Sequence, residues 1–312
     1  MSKVPKWTAE HIPGQAGRMV VVTGANSGLG FYTTRALAAK SARVIMACRN
    51  TAKGEDARKE ILKDDPGAQL EVWKLDLADL KSVDAFIQRY FSNFDRLDIQ
   101  INNAGLMAVP FGRTRDGFEM QFGVNHLGHF ALSAGLWPLL SSTGGSRLVS
   151  VSSAAHHIGK IRFEDIHWEI KYSKWGAYGM SKLANLLFIK ALSRKISQAG
   201  SKVVAAAAHP GYASTDLQAK GYLMSGARVR AASFNFINRL VAQSAAMGAL
   251  PTLYAATAEH VEPGSYYGPA RFWHMRGYPA PDLPNSKKVT DQVAARLWDL
   301  SESLTGKQFS IA

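Results

Sequence analysis

Tyr178-Gly179-Met180-Ser181-Lys182 places a phenol and an ammonium four residues apart at the entry to an apolar helical run. On a helix that spacing puts both side chains on one face, about 6 Å apart along the axis, so the cation can sit near the phenol. A nearby positive charge eases loss of the phenol proton, which otherwise titrates at about pH 10. Such a pair can give a proton to a carbonyl or take one from an alcohol. Ordinary surface helices also carry tyrosine and lysine at this spacing, so the pair acquires meaning only from the elements that would position it.

Those elements begin with the β-branched run Met19-Val20-Val21-Val22. It leads into Thr23-Gly24-Ala25-Asn26-Ser27-Gly28-Leu29-Gly30 and then a helical pattern through Leu37. Strand, glycine loop and helix in that order make a phosphate site: the glycines let backbone approach the ligand, and the helix start supplies free N–H groups. The next strand, Arg43 to Ala47, arrives at the separation a βαβ unit requires. At its end a dinucleotide's ribose would be read, and the chain has Cys48-Arg49-Asn50 there. An arginine cannot accept from a free 2′-hydroxyl but suits a 2′-phosphate, which favours NADP(H) over NAD(H). The competing reading of Arg49 is a solvated strand end. Cys48 is expected to lie buried against the sheet rather than to act as a redox thiol.

Further along, the pattern predicts a helix from Thr51 to Lys63 and a strand from Leu70 to Lys74. Asp76 and Leu77 follow, on a loop that could meet an adenine. Ser82 is expected to cap a helix whose Val83, Phe86, Ile87, Tyr90 and Phe94 form one apolar stripe. A strand at Leu97 to Ile101 runs into Asn102-Asn103-Ala104-Gly105, and Gln100 inside it has no explanation from pattern, because such a strand should be buried on both faces. A strand at Val203 to Ala208 and a helix at Ala245 to Ala256 come next. A last helix near Asp291 to Leu304 aligns Val293, Leu297, Leu300 and Leu304 and stops at Gly306.

The whole chain, 312 residues and 46% apolar, can bury a full core, and one large α/β domain is expected. Its single cysteine permits no internal disulfide, and a reducing, cytoplasmic location is the default. Residues 1–17 hold Pro5, Glu10 and Pro13 without an apolar core, so neither a signal peptide nor a membrane span is expected there. The charge of +13 is uneven: Asp216 is the only acid between Ile170 and Ala258, amid eleven lysines and arginines. That field favours an anionic cofactor or substrate, or an anionic membrane surface, over nucleic acid, since the basic residues are dispersed and no nucleic-acid motif accompanies them.

Taken together these motifs resemble the short-chain dehydrogenase/reductase family. Thr23 to Gly30 matches its TGxxxGxG loop, Asn102 to Gly105 its NNAG motif, and Asn125 its helix asparagine. Ser153 ends Val151-Ser152-Ser153, Tyr178 to Lys182 matches YxxxK, and His209-Pro210-Gly211 with Thr215 resembles the PG motif. Within the family the chain is most similar to the branch of retinol dehydrogenases and light-dependent protochlorophyllide reductases. The stretches that carry this are Ala47 to Asn50, Asn125 to Phe130, Ala155 to Lys160 and Ser181 to Asn185.

The resemblance implies a doubly wound, seven-stranded parallel sheet with helices on both faces. It divides the chain into an N-terminal extension (1–17), a dinucleotide-binding core (18–211), a substrate lid (212–243) and C-terminal helices with the last strand (244–312). It implies that Tyr178 is the general acid/base, that Lys182 lowers its pKa and holds the nicotinamide ribose, and that Ser153, with Ser152 as the rival, binds the carbonyl oxygen. Asn125 would help position Lys182 through water. NADP(H) would lie against Gly24, Asn26, Ser27, Gly28, Leu29, Gly30, Arg49, Asn50, Asp76, Leu77, Asn103, Ala104, Gly105, Tyr178, Lys182, Pro210, Gly211 and Thr215. The apolar, basic lid suits a bulky apolar small molecule or one with an anionic tail. His126, His129, His156, His157 and His209 are read as packing or loop residues, because no cysteine partner or HExxH spacing points to a metal. Homo-oligomerisation and peripheral membrane contact are both compatible with the sequence. The alternative function is a non-catalytic NADP(H)-binding regulator or scaffold on the same fold; the presence of Asn125, Ser153, Tyr178 and Lys182 together favours turnover.

Overall fold

The computed structural model describes residues 6–212, 243–285 and 287–311. The proposed lid, with Thr215, therefore lies almost wholly outside the described residues. At the centre stands β1 (Met19–Thr23), every residue of it buried. It is followed by α1 (Gly28–Ala38), β2 (Arg43–Cys48), α2 (Thr51–Asp64), β3 (Leu70–Lys74), α3 (Leu80–Asn93) and β4 (Ile99–Asn102). Then come α4 (Met120–Phe122), a π-helical turn at Gly123–Leu127, α5 (Gly128–Ser142), β5 (Arg147–Val151) and α6 (Lys174–Gln198). The chain closes with β6 (Val204–Ala208), α7 (Ala245–Thr257), β7 (Tyr266–Arg271), β8 (Arg276–Pro281) and α8 (Asp291–Thr305).

The strands form one sheet in the order β3-β2-β1-β4-β5-β6-β7-β8. The order reverses between β1 and β4, and in such sheets the ligand crevice opens at the carboxyl ends beside that switch point. Seven strands are parallel, as the resemblance implies. The eighth, β8, is an addition, antiparallel to β7. Only the four residues Phe272 to Met275 join the two, and so short a link can return the chain only antiparallel. The strand is hard to read in sequence because Pro279 and Pro281 interrupt it; prolines are tolerated there because β8 is the edge of the sheet.

One face of the sheet packs on α3, α5, α6 and α8 through a core that includes Phe130, Phe188 and Trp298. The other packs on α1, α2 and α7 around Val20, Val22, Val44 and Leu253. Gln100 looks into the first of these cores. Its amide donates to Asn102 Oδ1 at 2.9 Å and to Ser133 Oγ at 2.8 Å, and Asn102 donates to the same hydroxyl. A glutamine is thus accommodated because a second strand residue and a helix serine take both its amide protons, while its Oε1 stays buried without a partner among the described residues. Cys48 is fully buried, and burial pushes its thiol up to about 11, well away from thiolate chemistry.

The start of α3 differs from expectation. The cap is Asp79, whose carboxylate accepts the Lys81 N–H, and the helix begins two residues before Ser82. The Ser82 hydroxyl instead accepts the N–H of Asp76, fixing the loop where an adenine was expected. No helix among the described residues is long and apolar enough to cross a membrane.

Candidate active site

The cofactor half of the site is built around the end of β1. Gly24 and Gly28 adopt φ of +66° and +55°, a region most side chains avoid. Gly30 tucks under the loop so closely that a Cβ there would lie 2.3 Å from the Gly24 carbonyl oxygen and 2.6 Å from Asn103 Nδ2. Helix α1 then starts at Gly28 with no side-chain cap from Ser27 and no acid in its first turn, so its leading N–H groups keep their capacity for an anion. Gly24, Asn26, Ser27, Gly28 and Leu29 are half-buried at the carboxyl end of β1, the rim where such sheets bind their ligand.

Three other segments reach the same rim. Asn103 donates through Nδ2 to the Thr23 carbonyl at 2.8 Å, and the N–H groups of Asn103 and Ala104 both donate to Thr23 Oγ1 at 2.9 Å. The NNAG motif is thereby pinned to the glycine loop. Arg49 is exposed after β2, and its guanidinium forms no ion pair among the described residues. The next residue, Asn50, caps α2 by accepting the Lys53 N–H. Asp76 is half-buried and accepts the Ala78 N–H, while the Leu77 backbone is packed so tightly on Gly128 that a Cβ on that glycine would approach the Leu77 oxygen to 2.5 Å. Close glycines and open helix N–H groups form a donor set that fits the phosphates of a dinucleotide, with Arg49 exposed at the end of the neighbouring β2.

The proton-handling half lies on α6 and the loop after β5. Two glycines let these cross: a Cβ on Gly159 would lie 2.3 Å from the Gly179 carbonyl oxygen. That contact holds Tyr178, buried to 5% exposure, against the segment carrying Ser153. Ser153 sits half-buried beside the Tyr178 phenol. Burial raises the phenol pKa, and the Ser153 hydroxyl opposes the rise. Ser152 is differently used, donating to the Lys182 carbonyl at 2.8 Å. Lys182 is almost fully buried and donates through Nζ to the Val151 carbonyl at 3.0 Å; burial lowers its ammonium to about 8.

Asn125 occupies the π-helical turn. Its Nδ2 donates to the Leu106 carbonyl at 2.9 Å and to Ser181 Oγ at 2.8 Å, while Oδ1 accepts the Leu106 N–H at 2.7 Å. Both amide protons are thus engaged, and Asn125 makes no hydrogen bond to Lys182. It clamps the loop that follows NNAG to the residue before Lys182.

The PG segment is tied to the unexpected β8. The Gly211 N–H donates to His209 Nδ1, and His209 Nε2 donates to Asp282 Oδ2 at 2.8 Å. Burial pushes the Asp282 carboxyl up, but the bond and charge of His209, with His274 nearby, hold it below its usual range. The Pro210 carbonyl accepts from Gln243 Nε2 at 2.7 Å. Asp282 and Gln243 escape sequence reasoning because their partners are distant in the chain. His126, His129 and His156 are buried like His209, His157 is exposed, and among the described residues no three histidine, cysteine or acidic side chains converge as metal ligands.

With glycine loop, NNAG, serine, tyrosine and lysine gathered at the carboxyl ends of one sheet, the site is that of a nicotinamide-dependent oxidoreductase. A family model described as short chain dehydrogenase matches residues 18–224, and the chain belongs to that family. Within it, retinol dehydrogenase 12 of Mus musculus is 41% identical over 94% of this chain and 88% of its own length. Retinol dehydrogenase 13 of Homo sapiens is 40% identical over 93% and 85%. Among solved structures, an uncharacterised protein from Mycobacterium paratuberculosis is 43% identical, covers 98% of this chain and 99% of its own, and superposes with a TM-score of 0.80. A structure described as an NAD(P)-dependent gluconate 5-dehydrogenase from Beutenbergia cavernae, with NADP bound at low occupancy, is 25% identical over 78% of this chain and 90% of its own, with a TM-score of 0.57.

Proposed function

We propose that the chain is an NADP(H)-dependent oxidoreductase that interconverts an alcohol and an aldehyde or ketone on a bulky apolar small molecule. The observation that carries this is the burial of Tyr178 and Lys182 on one helix face beside Ser153, next to a phosphate-accepting glycine loop. Tyr178 gives the proton to the carbonyl oxygen in reduction and takes it back in oxidation. Ser153 holds that oxygen, and Lys182 favours the phenolate and binds the nicotinamide ribose. Asn125 shapes the wall against which Lys182 packs. Bound in the crevice, nicotinamide supplies or accepts the hydride, and the protein contributes placement and charge.

The exposed guanidinium of Arg49, which forms no ion pair among the described residues, supports the phosphorylated cofactor, as does the low-occupancy NADP in the Beutenbergia structure. The names of the retinol dehydrogenases support an apolar, retinol-like substrate. Peripheral contact with an anionic membrane belongs to the same proposal: Phe272 and Trp273 are 68% and 92% exposed on the β7–β8 turn. The test is a screen of apolar aldehydes, ketones and alcohols of graded size, following NADPH absorbance. Turnover concentrated among the long apolar members is expected; cofactor binding without turnover of any member would leave the scaffold reading.

A further inference from the structure

His129 lies one turn beyond Asn125, and each of its ring nitrogens has one partner in a different half of the site. Thr23 Oγ1 lies 2.9 Å from His129 Nε2, and the Asn125 carbonyl oxygen lies 3.0 Å from His129 Nδ1. The surroundings fix where the protons are. Thr23 Oγ1 already accepts two N–H groups, from Asn103 and Ala104, which occupy both its lone pairs. Its own proton must therefore be donated, and the imidazole nitrogen at 2.9 Å is a closer acceptor than the Ile101 carbonyl at 3.4 Å. Nε2 thus accepts, so the ring proton of a neutral imidazole sits on Nδ1, aimed at a carbonyl that can only accept. The two assignments agree, and an imidazolium would set two protons against each other at Thr23. Burial, with Lys182 nearby, holds the pKa down to about 4, so the neutral ring persists.

We infer that His129 is a positioning residue: its neutral Nδ1–H imidazole locks the Thr23 hydroxyl, which holds NNAG and the glycine loop, to the Asn125 turn, which holds Leu106 and Ser181 beside Lys182. The inference rests on the proposed reading of the site. It goes further in assigning His129, which sequence alone marks as a packing or loop residue, to the alignment of the cofactor half with the proton-handling half.

Two substitutions separate the two bonds. In His129→Asn, the side-chain amide nitrogen falls near the position of Nδ1, so the bond to Asn125 survives and the bond to Thr23 is lost. In His129→Gln, the terminal amide falls near the position of Nε2, so Thr23 keeps a partner and Asn125 loses one. NADPH binding, read by tryptophan fluorescence, should weaken by about tenfold in His129→Asn, with kcat little changed. His129→Gln should lower kcat by about tenfold with near-normal NADPH binding. Equal losses of binding and kcat in both variants, or no loss in either, would overturn the inference. Should the variants fail to fold, imidazole 15N shifts of the unmodified protein decide the matter: His129 is expected to remain the neutral Nδ1–H tautomer from pH 6 to 9, as about two units above a pKa of about 4 requires. A titrating ring, or an Nε2–H tautomer, would refute it. The shifts and the binding titration need no substrate, so a failed substrate screen would count against the enzymatic reading alone.

Discussion

Lys182 Nζ stands 5.9 Å from the centroid of the Tyr178 ring and directs a proton to the Val151 carbonyl instead of to the phenol. The helical spacing thus brings the two groups onto one face without a direct bond. Burial favours the neutral form of each, raising the tyrosine and lowering the lysine. The role proposed for Lys182 therefore rests on the field of its charge in a water-poor site, where charge interactions are stronger than in solution, and not on a direct bond.

Tyr178→Phe should bind NADPH nearly as the unmodified protein does and lose most turnover, by about 10²- to 10⁴-fold, the usual worth of a positioned acid/base. Fluorescence titration beside steady-state rates on a substrate from the screen checks this. Unchanged turnover would remove Tyr178 from its assigned role.

Arg49→Gln should weaken NADPH by about tenfold or more while leaving NADH nearly untouched, since a charge-assisted contact to phosphate is worth about 1.5–3 kcal/mol. Parallel titrations with the two cofactors measure it. Equal losses would mean that the guanidinium is only a solvated strand end.

The depressed lysine predicts a pH dependence of stability. Between the folded value of about 8 and the ordinary value of 10.5 for a free lysine, the unfolded chain binds a proton that the folded one does not, so stability rises with pH across that window. Below it both states are protonated and the penalty for burying the ammonium is constant. Lys182→Met should be inactive, more stable than the unmodified protein at pH 7 by a few kcal/mol, and should lose this rise. Urea midpoints at pH 7, 8.5 and 10 for the two proteins provide the comparison.

Gly30→Ala should damage both fold and cofactor binding, because the new methyl meets a backbone oxygen 2.3 Å away that cannot swing aside. A loss of about 1–3 kcal/mol is expected in chemical denaturation, together with much weaker NADPH binding. A variant that melts normally and binds NADPH would show that the loop opens more readily than its packing implies.

Much of this architecture is legible in the sequence because its signals are local. The valines of β1, the glycines that follow and the acid-free start of α1 lie within a dozen residues of one another and specify a phosphate loop by themselves. Gln100 could not be read this way, since its partner Ser133 comes from a helix 33 residues later. Nor could the bond between His209 and Asp282, which spans 73 residues. Strand β8 was hidden by its prolines, which are acceptable only once its place at the sheet edge is known. Ser82 carried the right chemistry for a cap, but the helix begins two residues earlier, at Leu80, so Asp79 takes that position.

The π-helical turn at Gly123–Leu127 makes the chain's length at this point as consequential as its composition. Each residue of an α-helix advances side chains by about 100°. Deleting one residue of the turn would let a regular helix form from Met120 onward while swinging Asn125, or everything after it, toward another part of the molecule. Conservative replacements could be absorbed here by repacking, but a shift in residue count would scramble which side chains face β4 and α6. The turn behaves as an angular spacer, and in a library of random deletions these five positions should form a gap among the functional clones.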